Sequence, residues 1–503
     1  MESTAGPGAI GTFAPDRRTF WIDGRWQYPR AGADAPFCTV TNPASTRTVG
    51  RVPVGSAEDV DDAVRAAREA FAQWATTTPA ARGTLLSTVA AGIRGREDEF
   101  AAVITAEMGA PRDNALGVQT RLAAEVFESY AELLGTYAWE ERIGTSQIVK
   151  EPAGVVAAIT PWNYPLYLIA AKAAAALAAG CTIVLKPSQD APLDAFLLAE
   201  IFAGACDATG APGGVFNLLT GAGAVVGQAL AEHPQVDVVS FTGSTAAGRK
   251  VAATAAATVK RVGLELGGKS ACVVLADEPG GSEVGDLGKI LSAALDDVFH
   301  NSGQTCTACT RILLPDVVYD EAVQLAAAEA RRRRLGDPSS PGDHLGPIAT
   351  AAQYDTVLSY IDRGVAEGAR LVAGGKTEEA DRPDGFGDGF WVSPTVFADV
   401  TSDMSIAQEE IFGPVVTLHR YHDEDEAAAI ANDSVYGLGG AVWCADPVRA
   451  GSFARRIRTG RVRVNGGSFN VAAPTGGYKQ SGIGRELGAH GLDEYLEIKT
   501  LQW

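Results

Sequence analysis

The stretch FHNSGQTCTACTR, residues 299–311, places two cysteines, Cys306 and Cys309, three positions apart. Such a pair is typical of a redox dithiol or of half a metal site. Two small hydrophobic side chains in a core fit the same letters, as does one nucleophile beside an inert thiol. The spacing alone therefore leaves four kinds of chemistry open.

Two further side chains have types and settings that matter for chemistry. Glu265 stands between Leu264 and Leu266 and is followed by two glycines. Burying a carboxylate there is costly, so the pattern indicates either a functional group or a structural pair with a Lys or Arg. Asn163, in the stretch PWNYP, has the ordinary setting of a turn asparagine beside proline.

Two glycine-rich turns are candidates for dinucleotide binding. Residues 218–230, LLTGAGAVVGQAL, space their glycines as G-x-G-x-x-x-G, one position longer than the usual fingerprint and without its acidic partner about 20 residues on. In FTGSTAAGR, residues 241–249, Gly243 permits a tight turn and Ser244 stands at a helix start, where free N–H groups attract phosphate. An ordinary helix cap fits that second turn equally well.

Hydrophobic periodicity predicts the elements that position these residues. Ser56 and Asp59 form a capping-box pattern before a helix over 57–75. Short apolar runs alternate with Ala-rich helical stretches, which is typical of β-α units in a parallel sheet covered on both faces. The runs predicted as strands are 155–160, 182–186, 215–219, 236–241 and 262–266, and the intervening helices include 166–179 and 192–208.

A second α/β series follows the first. It begins with a strand at 271–277, continues through a helix near 286–300 and a strand at 311–315, and extends to about residue 465. The chain is long enough for two or three domains, each with its own core. We therefore predict two α/β domains in succession.

Composition excludes several classes of partner. The 503 residues carry a net charge of −19 with no basic block, so a nucleic acid partner is not expected. No apolar run is long enough for a membrane span, and the first residues lack the pattern of a secretory signal. Seven scattered cysteines indicate a reducing compartment, so we expect a cytoplasmic protein without a metal site.

Several motifs, in the same order along the chain, resemble the aldehyde dehydrogenase superfamily. They are TPWNYP (160–165), KPS (186–188), FTGSTAAGR (241–249), LELGGKS (264–270), GQTC (303–306), EEIFGPV (409–415), YGLGGAVW (436–443) and GGYKQSGIGRELG (476–488). The resemblance extends from about residue 18 to the end.

The resemblance implies a fold and its divisions. The expected architecture is α/β, with two Rossmann-like doubly wound domains and a small β oligomerisation segment. The implied divisions are a flexible arm at 1–17, a cofactor-binding domain at 18–133 and 153–267, a catalytic domain at 268–480, and the oligomerisation segment with the C-terminal tail at 134–152 and 481–503. A homodimer or homotetramer follows from the same likeness.

The resemblance also implies catalytic roles. Cys306 matches the nucleophile, Asn163 a side chain that holds the oxyanion, and Glu265 the general base that activates water. Lys172 matches a lysine near Asn163, and Glu486 a glutamate near the water path. The implied reaction oxidises an aldehyde to a carboxylic acid through a cysteine thiohemiacetal and a thioester.

NAD, with NADP as an alternative, is the cofactor that the resemblance implies. The residues implied to bind it are Thr160, Pro161, Trp162, Lys186, Ser188, Gln189, Gly221, Gly243, Ser244, Leu266, Glu410 and Phe412. Gln189 stands where many NAD-preferring relatives have a glutamate that binds the ribose hydroxyls. A neutral amide does not repel a 2′-phosphate, so we predict weak discrimination against NADP.

The resemblance gives less information about the residues that contact the substrate. The expected contacts are Tyr164, Tyr167, His300, Thr305 and Thr307, with Ala171 and Phe469 beside them. The small Ala171 suggests room for a medium or bulky apolar or aromatic aldehyde. Rival interpretations are an acylating enzyme that uses coenzyme A, a C-x-x-C thiol oxidoreductase and a catalytically silent relative.

Overall fold

The computed structural model describes residues 16–278, 280–281 and 283–503, and most of the arm predicted at 1–17 lies outside them. In the described residues the strands are β1 Phe20–Ile22, β2 Arg25–Gln27, β3 Phe37–Thr41, β4 Thr48–Pro53, β5 Glu140–Ile143, β6 Ser146–Pro152, β7 Val155–Ile159, β8 Thr182–Lys186, β9 Phe216–Leu218, β10 Val238–Thr242, β11 Arg261–Glu265, β12 Ala271–Val274, β13 Arg311–Pro315, β14 Arg370–Gly375, β15 Ser393–Ala398, β16 Val415–Tyr421, β17 Gly439–Trp443, β18 Arg461–Val464, β19 Gly482–Ile483 and β20 Leu496–Gln502.

The α-helices are α1 Ala57–Trp74, α2 Pro79–Gly95, α3 Glu97–Met108, α4 Arg112–Asn114, α5 Leu122–Leu133, α6 Pro165–Ala179, α7 Leu193–Thr209, α8 Gln228–Glu232, α9 Thr245–Ala255, α10 Leu287–Phe299, α11 Tyr319–Arg332, α12 Ala351–Ala366, α13 Ser405–Gln408, α14 Glu424–Asn432, α15 Pro447–Ala454 and α16 Gly488–Asp493. A π-helical segment, Ala115–Arg121, joins α4 to α5. None of the helices in the described residues has the length and hydropathy required to cross a membrane.

The first sheet has eight strands in the order β19-β11-β10-β7-β8-β9-β1-β2. Strands β7 to β11 run parallel, so their carboxyl ends meet at one edge. The chain proceeds from β7 toward β9 in one direction and from β10 to β11 in the other. The β7–β10 boundary is therefore a topological switch point, the place where open α/β sheets bind ligands.

The second sheet has seven strands in the order β14-β15-β16-β13-β12-β17-β18. All neighbours are parallel except β14, which pairs antiparallel with β15. Helices cover its faces and form cores separate from those of the first sheet. The predicted α/β fold with two doubly wound units is confirmed.

A three-stranded sheet in the order β20-β6-β5 stands apart from both. Its hairpin, β5 and β6, lies in the segment 134–152, and β20 pairs antiparallel with β6 along its length. Residues after 480 do not all belong to this sheet, because β19 pairs with β11 and α16 packs on α5 and α6. The first sheet thus extends into residues 481–503, which the resemblance assigns to the oligomerisation segment and C-terminal tail.

Local sequence explains the elements nearest the site. The Ser56 side chain caps α1 by accepting from the Asp59 amide, and Asp59 reciprocates, as the capping-box pattern predicts. Helix α6 is apolar all round and almost wholly buried between other elements. Lys172 is its single charged residue, so the helix carries one ammonium group into the interior.

Candidate active site

Two cavities meet at the side chain of Cys306. The first cavity, about 270 Å³, opens along the carboxyl ends of the first sheet, and the second, about 210 Å³, runs beside Tyr164 and Tyr167. Cys306 and Glu265 line both cavities. A ligand in either cavity would therefore face the same sulfur and the same carboxyl group.

A strained turn between α10 and β13 presents Cys306. Asn301 and Ser302 have left-handed backbone angles, φ 51° and 57°, and Gly303 follows with φ 75°. A Cβ on Gly303 would lie 2.0 Å from the Gly413 carbonyl oxygen, so only glycine fits. The Gln304 side chain anchors the turn by accepting from the Ala349 amide at 2.8 Å. Backbone strain held this firmly is typical of functional sites.

Asn163 lies beside Cys306 in the first cavity, after the end of β7. Its side-chain amide nitrogen donates to the Gln304 backbone carbonyl at 3.0 Å, and its backbone carbonyl accepts from the Asn301 side chain at 2.9 Å. The first bond orients the side-chain amide, and the second holds the backbone of Asn163. Because an amide group has two N–H donors, one remains for an oxygen of a ligand bound at the sulfur.

The Cys306 thiol is protonated at neutral pH in this arrangement. Burial, reinforced by the negative charges of Glu410 and Glu265, raises its pKa to about 12. A nucleophilic role requires that the proton be removed during the reaction.

Glu265 ends β11 and projects toward Cys306. Its Oε1 is buried without a hydrogen-bond partner in the described part of the chain. Burial raises the pKa of Glu265 well above its usual range, and the negative charge of Glu486 raises it further. A carboxyl group with a raised pKa can exchange protons near neutral pH, as a general base must.

Lys172 and Glu486 form a buried ion pair behind Glu265, joining α6 to the segment that precedes α16. Glu486 also lines the second cavity. A pocket of about 10 Å³, the space of one water, borders Glu265, Glu486 and Glu494. The ion pair therefore supplies a charged wall close to the carboxyl group of Glu265.

The first cavity gathers seven of the twelve residues predicted to bind the cofactor. They are Pro161, Trp162, Gly243, Ser244, Leu266, Glu410 and Phe412. Trp162 and Phe412 meet edge to face with ring centroids 5.5 Å apart. Glu410 accepts from the Gly268 amide at 3.0 Å, and burial raises its pKa to about 7.

The other five predicted cofactor residues lie outside that cavity. Lys186 is the last residue of β8, and the other four follow the carboxyl ends of the strands: Thr160 after β7, Ser188 and Gln189 after β8, and Gly221 after β9. The Lys186 ammonium is buried and donates to the Pro187 carbonyl at 2.8 Å, and burial lowers its pKa to about 8. Gln189 is exposed. These residues share the strand-end edge with the first cavity.

All five predicted substrate contacts line the second cavity, and so does Phe469. Tyr164 and Thr305 share a hydrogen bond of 2.7 Å between their hydroxyl oxygens. The His300 ring lies 2.6 Å from the Asn114 amide nitrogen, so it contacts both the cavity and the α4 segment. Ala171 is fully buried in the core and does not line this cavity, so its small size says nothing about the substrate.

Cys309 lies away from both cavities. It is buried in the core of the second sheet, where burial raises the pKa of its thiol to about 12. Its backbone amide donates to Asp297 at 3.2 Å. The pair Cys306 and Cys309 thus consists of one thiol at the cavities and one packed as a small hydrophobe.

Sequence reasoning missed several lining residues. They are Leu168, Thr242, Gly267, Gln353, Thr356 and Ile411 in the first cavity, and Val118, Leu122, Leu438, Arg461 and Thr475 in the second. Thr242, Gly267, Ile411 and Leu168 adjoin predicted site residues, and Leu438 lies in the motif YGLGGAVW, so a usable signal was present there. The remainder reach the cavities only through tertiary packing.

Comparisons with known proteins agree on one family. The model of the "Aldehyde dehydrogenase family" matches residues 31–501. A 3-succinoylsemialdehyde-pyridine dehydrogenase from a Pseudomonas species is 48% identical over 97% of this chain and 98% of its own length.

Solved structures extend the agreement. Aldehyde dehydrogenase C from Pseudomonas syringae, crystallised as a mutant with NAD+ and octanal, is 46% identical with a TM-score of 0.91, covering 96% of each chain. A betaine aldehyde dehydrogenase mutant from Staphylococcus aureus, in complex with NAD+, is 36% identical with a TM-score of 0.90, covering 96% of each chain.

Proposed function

The chain belongs to the aldehyde dehydrogenase family, and from this premise we propose that it oxidises its aldehyde through a covalent intermediate on Cys306, with NAD as cofactor. The observation that carries the proposal is the position of the Cys306 sulfur, where the two cavities meet beside Asn163 and Glu265. One cavity then holds the cofactor and the other the aldehyde.

The residues of the first cavity fit a dinucleotide. Thr242 Oγ1 is buried at its wall without a partner in the described residues, so a polar ligand group would satisfy it. Ser244 caps α9, whose first N–H groups offer a phosphate site. Trp162 and Phe412 would flank the nicotinamide end. When bound there, NAD would supply the oxidant, a hydride acceptor, that the step from thiohemiacetal to thioester requires.

The chain supplies the remaining steps. As the Cys306 sulfur bonds to the aldehyde carbon, its proton passes to solvent water, and the carbonyl oxygen becomes an oxyanion held by the free N–H of Asn163. After oxidation Glu265 takes a proton from water, whose oxygen attacks the thioester carbon. The carbon–sulfur bond then breaks and releases the carboxylic acid and Cys306. An acyl transfer to coenzyme A would not need Glu265 as a base.

Oligomerisation belongs to the same proposal. Strand β18 lies at one end of the seven-stranded sheet and β20 at one end of the three-stranded sheet, so each of these strands has one unpaired edge in the described chain. Free edges pair readily with another strand. We therefore expect a homodimer or homotetramer in which β20 of one copy reaches β18 of another.

The test uses the two cysteines as a matched pair. Cys306→Ser should abolish reduction of NAD by a panel of aldehydes, whereas Cys309→Ser should keep nearly all activity because its thiol contacts neither cavity. Glu265→Gln should release one equivalent of reduced cofactor per site and then stall at the thioester. Activity that survives in Cys306→Ser would contradict the proposal. Activity that disappears in Cys309→Ser would contradict it and favour a dithiol.

A further inference from the structure

Arg461 brings a positive charge to the second cavity. It is the first residue of β18, and its side chain lines the cavity together with Cys306 and Tyr167. Its guanidinium carbon lies 5.0 Å from the centroid of the Phe469 ring, and Phe469 meets Tyr167 edge to face at 6.3 Å. The aromatic ring thus fixes the position of the charge without neutralising it.

No hydrogen bond or ion pair joins the Arg461 side chain to any part of the chain that the structure describes. Arg463, two residues along the same strand, is paired with Asp297. Two carboxyl groups, Glu265 and Glu486, also line the cavity, and Glu486 is already paired with Lys172. All five N–H donors of Arg461 are therefore available to a ligand.

The chemistry of a guanidinium group indicates which class of ligand Arg461 would bind. Its planar fork matches a carboxylate with two parallel hydrogen bonds, and such bonds are strong where solvent is partly excluded. The rest of the cavity is apolar or neutral, with Val118, Leu122, Leu168 and Leu438 along it. An aliphatic chain suits those walls, with the aldehyde at Cys306 and an anion at Arg461.

We propose that Arg461 selects ω-oxo acids, aldehydes that carry a carboxylate at the end opposite the reactive carbonyl. This inference rests on the proposed function, since it assigns the second cavity to the aldehyde. The product would be a dicarboxylate. The Arg461 charge also opposes the rise that burial causes in the pKa of Tyr167, which places the charge within electrostatic reach of the cavity interior.

The experiment compares 8-oxooctanoate, its methyl ester and octanal, which share a chain length. In the wild type we expect the highest kcat/KM for the oxo acid. Arg461→Leu should lower kcat/KM for the oxo acid about 10- to 100-fold, mainly through KM, because it removes a charged hydrogen bond. Activity on octanal should change little, and the ester should follow octanal. Arg461→Lys should recover part of the loss.

Control measurements distinguish a wrong assignment of Arg461 from misfolding of the variant and from a wrong proposed function. Arg458→Leu removes an exposed arginine just before β18, so it should leave all three substrates unaffected. The thermal midpoint shows whether Arg461→Leu folds. Equal losses on all substrates, no preference for the oxo acid, or an ester that behaves like the acid would overturn the assignment. If no substrate reduces NAD in the wild type, the proposed function itself fails.

Discussion

At the scale of single residues, the protonation state of Cys306 deserves a direct measurement. Burial and the charges of Glu410 and Glu265 raise its pKa to about 12, so the free enzyme should alkylate slowly at pH 8 compared with free cysteine, whose pKa is about 8.5. Glu410→Gln removes one of those charges while keeping an acceptor for Gly268. It should lower the pKa of Cys306 and speed its alkylation by iodoacetamide several-fold.

Mass spectrometry of the peptide that contains Cys306 gives the rate without interference from other thiols. Glu409→Gln is the matched control, because Glu409 pairs with Arg363 and Tyr360 at the surface and does not line the first cavity. If Glu410→Gln slowed alkylation, or if the wild-type rate equalled that of free cysteine at pH 8, the electrostatic account of the thiol would be wrong.

The prediction about the choice between NAD and NADP depends on Gln189. It is exposed at the strand-end edge and offers no charge to a ribose 2′-phosphate. We expect kcat/KM for NAD to exceed that for NADP by less than about a thousandfold, and Gln189→Glu to widen the ratio by about tenfold or more through charge repulsion. Parallel assays with both cofactors measure this, and Gln73→Glu on the exposed face of α1 is the control. An unchanged ratio in Gln189→Glu would contradict the prediction.

At the scale of elements, the turn before Cys306 is the part most sensitive to a small change. Gly303→Ala adds a Cβ at a positive φ and against the Gly413 carbonyl, so the turn must move. We expect a cost of about 1–3 kcal/mol in stability, and activity lower by about a hundredfold because the sulfur is displaced.

Chemical denaturation and steady-state kinetics on the same preparations measure both effects. Gly204→Ala on α7 is a matched control, since an added Cβ there meets nothing within 4 Å and alanine favours a helix. A Gly303→Ala enzyme with normal activity would show that the turn does not position Cys306.

The sequence predicted the strands and helices better than it predicted the residues that line the cavities. Strands such as β7 and β8 are short apolar runs with turn residues on both sides, so their local pattern is sufficient. Cys306, Glu265 and Asn163 stand in motifs that a resemblance can match. Arg461 follows no motif, and its position at the cavity depends on how the edge of one sheet packs against another domain. Local patterns contain no information of that kind.

The domain division shows the same limit. The resemblance implies a boundary at 480, yet β19 pairs with β11 of the first sheet, and the Arg261 side chain donates to the Leu496 carbonyl at 2.6 Å. Residues that follow the second domain in the sequence therefore belong to the first domain in space, because the polypeptide returns to the first sheet before it enters the three-stranded sheet. Only long-range pairing reveals this.

At the scale of the whole molecule, the free edge of β20 predicts how copies assemble. Ile498 is 69% exposed on this strand, where a strand of another copy would pair with the free edge. Ile498→Asp should weaken the assembly and shift the mass measured by light scattering toward the monomer at micromolar concentration. Val448→Asp, 76% exposed on α15, should leave the mass unchanged. If neither variant alters the mass of an oligomeric wild type, the contact between copies lies elsewhere and β20 is not its basis.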